Sequence, residues 1–237
     1  MKFMVMHKAD ALSETEPKPT PELLANVGNL VKGAIDSGAL IDAAGLRSSA
    51  RRARVKLGGG DRTVQRGPYR GENELVASMA LLKVKTMEQA VEWGARLADA
   101  AGAPEVEVGM VTEPWDLGVA PKPDGDVPLR VLALLKAGDE SERGKAPTAE
   151  QLERAIAEAK AADVLVSTHA LRESERGARI RGAKGARHVV DGPFAESKEL
   201  IGGFMIMTFA SKEEAVQFGV RYADVVGAEE VDIREVW

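Results

Sequence analysis

The chain of 237 residues repeats itself. Residues 66–111 lie over residues 191–236 at a constant offset of 125 without a gap, with 16 identities in 46 pairs and 12 of these in the last 24. Unrelated segments of similar composition do not match so densely, so the sequence predicts a tandem duplication. The register holds upstream, where Arg47, Ser49, Arg51 and Arg54 pair with Arg172, Ser174, Arg176 and Arg179. The opening stretches MKFMVMHKA and LRVLALLKA match after a small gap. Between the two copies, residues 113–128 carry four prolines and two glycines, a composition that resists helix and sheet alike. The expected organisation is therefore repeat 1 over 1–112, a linker over 113–128 and repeat 2 over 129–237.

Each copy reads strand, helix, strand, hairpin, strand, helix, strand. Helix starts are marked by Thr20 before Pro21, and by Thr86 with Gln89, Thr148 with Gln151 and Ser211 with Glu214, three capping boxes whose side chains satisfy free N-terminal amides. In the last helix Ala215, Phe218, Tyr222 and Val225 recur every three or four residues, and Gly227 offers the stop. The strands behave differently: Phe3-Met4-Val5-Met6, Val131 to Leu135, Met79 to Leu82 and Phe204 to Met207 are apolar on both alternating faces, so both faces of each sheet must be covered. Helices cover one face; the sheet of the other copy is the natural cover for the second. The predicted fold class is α+β, two ferredoxin-like units packed sheet against sheet as a fused, pseudo-twofold dimeric α+β barrel.

Composition narrows the function classes. A net charge of -5 argues against a dedicated nucleic-acid binder, and base-stacking aromatics interleaved with basic residues are missing. With no cysteine, thiolate nucleophiles, disulfides and iron–sulfur clusters are excluded, and three histidines leave little for a metal site, so no metal and no cofactor are expected. The longest apolar run, Ile201 to Ala210, is about half of the ~20 residues that a membrane-spanning helix needs, and MKFMVMHKAD turns charged too early for a secretory signal. The expectation is a cytoplasmic protein with a small-molecule ligand and no nucleic-acid or membrane partner, working as a monomeric pseudo-dimer or a homodimer.

The stretch Asp191-Gly192-Pro193-Phe194-Ala195-Glu196, followed by Lys198-Glu199-Leu200 and Gly202-Gly203-Phe204, resembles the YCII-related family in its DGPF-motif branch. The likeness extends to the MKFMVM opening, the Gly45-Leu46-Arg47 segment and the closing VDIREV. It implies a dimeric α+β barrel of ferredoxin-like units. It also implies either a small-molecule lyase, isomerase or dehalogenase or a non-catalytic binding or regulatory protein, since DGPF genes often neighbour extracytoplasmic-function sigma factors. Better-known relatives use a His/Asp pair, whose histidine sits elsewhere in the chain.

Read as residues, Asp191-Gly192 suits a tight turn, with glycine at positive φ and the aspartate bonding nearby amides; a carboxylate at a strand end is equally a candidate general base. Repeat 1 has Arg66, Tyr69 and Gly71 where repeat 2 has Asp191, Phe194 and Glu196, so a mechanism needing that carboxylate operates in one half alone. His169, in a strand and matched by Ala44, is the candidate proton-transfer partner of Asp191. Arg172 and Arg179, from arginine clusters at 47–54 and 172–181, with Phe194 and Glu196, are the candidate substrate-binding residues, because guanidinium groups clamp carboxylates and phosphates. The alternative for these arginines is a solvated, counter-charged strand surface. His7 and His188 are weaker candidates, and Gly58-Gly59-Gly60-Asp61 reads as a hairpin turn rather than a phosphate loop.

Overall fold

The computed structural model describes residues 1–58, 61–72, 75–142, 149–194 and 200–237. In chain order its elements are β1 (Lys2–Lys8), α1 (Pro21–Asp36), β2 (Leu40–Gly45), β3 (Arg52–Gly58), β4 (Asp61–Arg66), β5 (Val76–Val84), α2 (Met87–Ala100) and β6 (Glu105–Met110). The second half continues with β7 (Leu129–Lys136), a single turn α3 (Asp139–Glu142), α4 (Ala149–Ala161), β8 (Leu165–Ala170), β9 (Ala178–Arg181), β10 (His188–Asp191), β11 (Ile201–Thr208), α5 (Lys212–Val226) and β12 (Glu230–Glu235). The helix starts follow the expected chemistry: Thr20, Thr86 and Ser211 accept the amides of Leu23, Gln89 and Glu214. Gly227 closes α5 at φ 72°, a left-handed cap that glycine takes without a Cβ penalty. Thr148, Gly59 and Gly60 lie outside the described residues; the strands flanking the glycine turn pair antiparallel as expected.

The strands form two six-stranded antiparallel sheets, β10-β9-β12-β1-β11-β2 and β4-β3-β6-β7-β5-β8. Place for place the two orders correspond, yet the sheets are not divided as the sequence halves are. The first sheet takes four strands from the C-terminal half and receives β1 and β2 from the N-terminal half; the second receives β7 and β8 in return. Helices travel with their strands, so α1 packs beside α5 and α4 beside α2. The expectation that each half builds its own sheet is corrected by this exchange.

The reason lies at two short crossovers. The Leu46 amide donates to Gly202 O in the first sheet, and the next amide, of Arg47, donates to Met110 O in the second. At the offset of 125, Leu171 donates to Ala77 O in the second sheet and Arg172 to Glu235 O in the first. Each strand-helix-strand unit is thereby stitched to one sheet while the chain steps into the other.

Three buried clusters follow from the strands' two apolar faces. Phe3, Val5, Met205, Ile233, Phe218 and Tyr222 fill the space between the first sheet and its helices, and Val55, Leu82, Val106, Ala133 and Leu97 do the same for the second. The third cluster draws on both sheets: Met4, Met6, Phe204 and Ile206 from one, Met79, Leu81, Leu132 and Leu134 from the other, with Leu171 beside them. Each such side chain contributes roughly 1.5–3 kcal/mol of burial, so the shared layer is a main source of cohesion between the sheets. No helix among the described residues is long and apolar enough to cross a membrane.

Candidate functional site

Two corners of the molecule are built alike. After β1 the chain brings Glu14 against a short 3-10 turn, Ser49–Arg51; after β7 it brings Glu142 against the matching turn, Ser174–Arg176. The Ser49 amide and hydroxyl both donate to Glu14, the amide at 3.0 Å to Oε2, and those of Ser174 donate to Glu142, the amide at 3.1 Å. The serine oxygens accept in turn the amides of Tyr69 (3.3 Å) and Phe194 (3.2 Å). This seats the Gly-Pro-aromatic segment on the turn so tightly that a Cβ on Gly67 or Gly192 would lie 1.7 or 1.9 Å from the carbonyl oxygen of Ser49 or Ser174. Both Gly-Pro bonds are cis. Gly192 is thus required for close approach, not for the positive φ that its Asp-Gly context predicts.

Behind each corner lies a buried charge network shared between the halves. Lys8 sits 3.0 Å from Asp232, which also accepts two hydrogen bonds from Arg179 at 2.6 and 3.0 Å. Burial alone would raise the Asp232 pKa, but Lys8 and Arg179 outweigh it and hold the carboxyl down at about 2. At the other corner Glu107 accepts from Arg52 (2.9 Å) and Arg54 (3.3 Å), and the field of Lys136 helps to hold its carboxyl below the usual range against burial. The guanidinium of Arg179 stacks 4.6 Å from the Phe194 ring and that of Arg54 4.4 Å from Tyr69.

A cleft of about 690 Å³ opens at the corner of Ser49, lined by Asp10, Glu14, Tyr69, Arg70 and Leu200 among others. Asp10 is engaged with Ser13, and Glu14 with Ser49. The Arg70 guanidinium has no hydrogen bond or ion pair among the described residues, and it stands at the cleft as an uncommitted cation. Nearby, His7 receives or donates at Nδ1 to the buried Tyr222 hydroxyl (2.7 Å); desolvation first, then the charge of Arg52, push its pKa down to about 4 and keep the ring neutral. Among the described residues no group of three or more histidine or acidic side chains gathers as a metal ion would need.

The residues singled out in sequence are dispersed. Asp191 is exposed at the end of edge strand β10, where it pairs with Lys212 (2.8 Å) at the start of α5 instead of bonding its own turn amides. The matching residue, Arg66, pairs with Glu88 (2.9 Å) at the start of α2, so the same tie is made with charges reversed. His169 lies in the other sheet on β8, with Nε2 3.7 Å from Asp42, which also accepts from Ser167. The structure does not bring His169 and Asp191 together. Arg172 stacks on Trp237 (3.7 Å), and Arg179 and Phe194 belong to the buried network. Glu196 lies outside the described residues. Of the arginine clusters, Arg52, Arg54 and Arg179 are buried and paired, whereas Arg181 is a surface residue bound to Glu230. Sequence reasoning noted Tyr69 only as the counterpart of Phe194 and missed Glu14 and Arg70; for Glu14 the signal was the spacing Lys8-Ala9 to Ser13-Glu14, repeated as Lys136-Ala137 to Ser141-Glu142.

Residues 130–237 match the family model of the YCII-related domain. No curated protein and no solved structure matches the chain.

Proposed function

We propose that the chain is a tandem duplication of a YCII-related domain of the DGPF type, arranged as a pseudo-twofold α+β barrel, and that it binds a small acidic molecule in the cleft at the Ser49 corner. The paired hydrogen bonds at Ser49 and Ser174, alike at the offset of 125, support the duplication. The cleft carries the functional reading: its two carboxylates are already hydrogen-bonded, so the ionic group left to meet a ligand is the Arg70 guanidinium, with the Tyr69 ring and Leu200 supplying apolar wall. Asp191 as a general base is not favoured, because Arg66 makes the equivalent helix tie in the other half with a group that cannot accept a proton at neutral pH.

A thermal-shift screen of the intact protein against small aromatic and aliphatic carboxylates tests this. Stabilisation that disappears in Arg70→Gln and survives in Asp191→Asn is expected; stabilisation indifferent to Arg70 would overturn the assignment. An enzymatic reading, proton transfer or elimination by a lyase or isomerase, draws on Asp10 and Glu14 in the same wall. It is separated from binding by turnover of a compound that the screen identifies.

A further inference from the structure

The two corners differ in how they satisfy one buried guanidinium. In the N-terminal half Arg52, on β3, stands opposite Gly109 on β6. In the C-terminal half the pair is reversed: Gly177 takes the position matching Arg52 and Arg234, on β12, the position matching Gly109. A Cβ on Gly109 would lie 3.2 Å from Arg52 Cδ, and one on Gly177 3.2 Å from Arg234 Cδ, so each arginine lies across the glycine that faces it. Both guanidinium groups hold the carbonyl of the crossover arginine, Arg47 for Arg52 and Arg172 for Arg234. The two groups thus fill corresponding places from opposite strands.

Their remaining partners are not equivalent. Arg52 also donates to Glu107 Oε1 and Ile201 O, both at 2.9 Å. The residue matching Glu107 is Asp232, one methylene shorter, and its carboxylate is taken by Arg179 and Lys8. Arg234 is left with a 3.4 Å contact to Glu142 besides the Arg172 carbonyl; its Nε and Nη1 are buried with no hydrogen-bond partner among the described residues, and the side chain is 1% exposed. Glu173, next in sequence to Arg172, lies 4.0 Å through Oε1 from Arg176 Nε, while its buried Oε2 has no hydrogen-bond partner among the described residues. Glu173 is among the charges that act on Arg234, and orphaned donors beside an orphaned acceptor are costly unless something supplies the missing bonds. Glu142 and Glu173 disfavour a bare anion there, so the missing partner must both accept and donate.

We propose that the C-terminal corner is a second binding site, in which Arg234 donates to a carboxylate oxygen of a small amino or hydroxy acid and Glu173 accepts its N–H or O–H. The site is independent of the cleft at Arg70. Thermal shift of the full chain with glycine, glycolate, acetate and methylammonium at fixed ionic strength tests it. At a hundredfold excess over Kd, glycine or glycolate raises the midpoint by roughly 5–10 °C, acetate by less and methylammonium not at all. The rise is lost in Arg234→Gln and kept in Arg70→Gln; Glu173→Gln removes the preference over acetate. Because Arg234→Gln is open to misfolding, the Nε–H resonance of Arg234 in 15N-labelled parent protein gives a second readout and must shift on titration. No ligand-dependent rise together with an unmoved resonance means that water alone fills the corner, and the proposal falls; a rise unchanged in Arg234→Gln also overturns it.

Discussion

Replacing Asp232 with asparagine keeps the volume of the side chain and removes the charge that Lys8 and Arg179 share. Both cations are nearly inaccessible, at 3% and 5% side-chain exposure, and Glu230, 3.4 Å from Arg179, stays as a partial counter-charge. Breaking a buried pair by removing one partner costs roughly 3–5 kcal/mol, because the surviving charge stays desolvated. For a chain of this length that is a fall of roughly 6–20 °C in the thermal midpoint. The linkage has a definite sign. The folded carboxyl, at about 2, lies below its unfolded value of 3.8, so the unfolded state binds the proton first as pH falls. The contribution is therefore full above pH 3.8 and is lost as pH drops through about 2. Urea denaturation at pH 7 and at pH 3 reads both effects, and Asp232→Asn must reduce the difference between the two, His7 and the other shifted carboxyls accounting for the rest. The control is Asp191→Asn, whose carboxylate is 78% exposed and whose surface pair is worth at most about 1 kcal/mol. An Asp232→Asn variant within about 1 kcal/mol of the parent would refute the argument that this network is desolvated and binds the halves together.

Three other outcomes are expected. Gly192→Ala and Gly67→Ala each lose more than about 2 kcal/mol in chemical denaturation, since the new methyl meets a main-chain oxygen, whereas Gly28→Ala, in α1 with nothing within 4 Å, gains about 0.5–1 kcal/mol; equal effects at the three sites would contradict the close-approach reading. The neutral His7, held at about 4 against 6.5 unfolded, makes stability fall as pH drops from 6.5 towards 4, and His7→Leu with Tyr222→Leu, copying Leu135 and Leu97 of the other sheet, must remove that slope in urea titrations. Cutting the chain at a protease site placed between Val119 and Pro121 leaves a one-to-one complex on size exclusion, because each fragment holds strands of both sheets; separate folded monomers would speak against the exchange.

The order of elements, their caps and the two-faced strands were legible because each depends on local chemistry: Thr86 and Gln89, or the apolar run Phe204 to Met207, carry their signal within one window. The exchange was not, since β1 and β7 offer equivalent apolar faces, Met4 and Met6 against Leu132 and Leu134, and either fits beside β11 and β12. Hydrophobic period says which face is buried, not which copy supplies the neighbour. Asp191 drew attention as the unusual carboxylate of its motif, while the exchange of Asp191 with Lys212 for Arg66 with Glu88 becomes visible as one structural tie only when the hairpin is seen to end above a helix N-terminus. Arg234 was overlooked for a related reason: its counterpart is Arg52 across the β3–β6 pairing, not the Gly109 that alignment puts beside it.

On the proposed duplication, that reciprocal swap of arginine and glycine bears on why two such units would share one chain. In a twofold dimer of identical subunits every substitution appears at both corners, so a change that opens one corner opens the other. Joined by residues 113–128, the halves are released from that constraint. Glu107 closes the network at Arg52, while the shorter Asp232 turns to Lys8 and leaves Arg234 short of partners. Yet neither corner belongs to one half alone. Lys8 completes the network of Asp232 from the other end of the chain, so a change at either lysine-bearing strand reaches a site assembled mostly by the opposite half. The exchange of strands ties the two corners mechanically, while the single chain lets their chemistry differ.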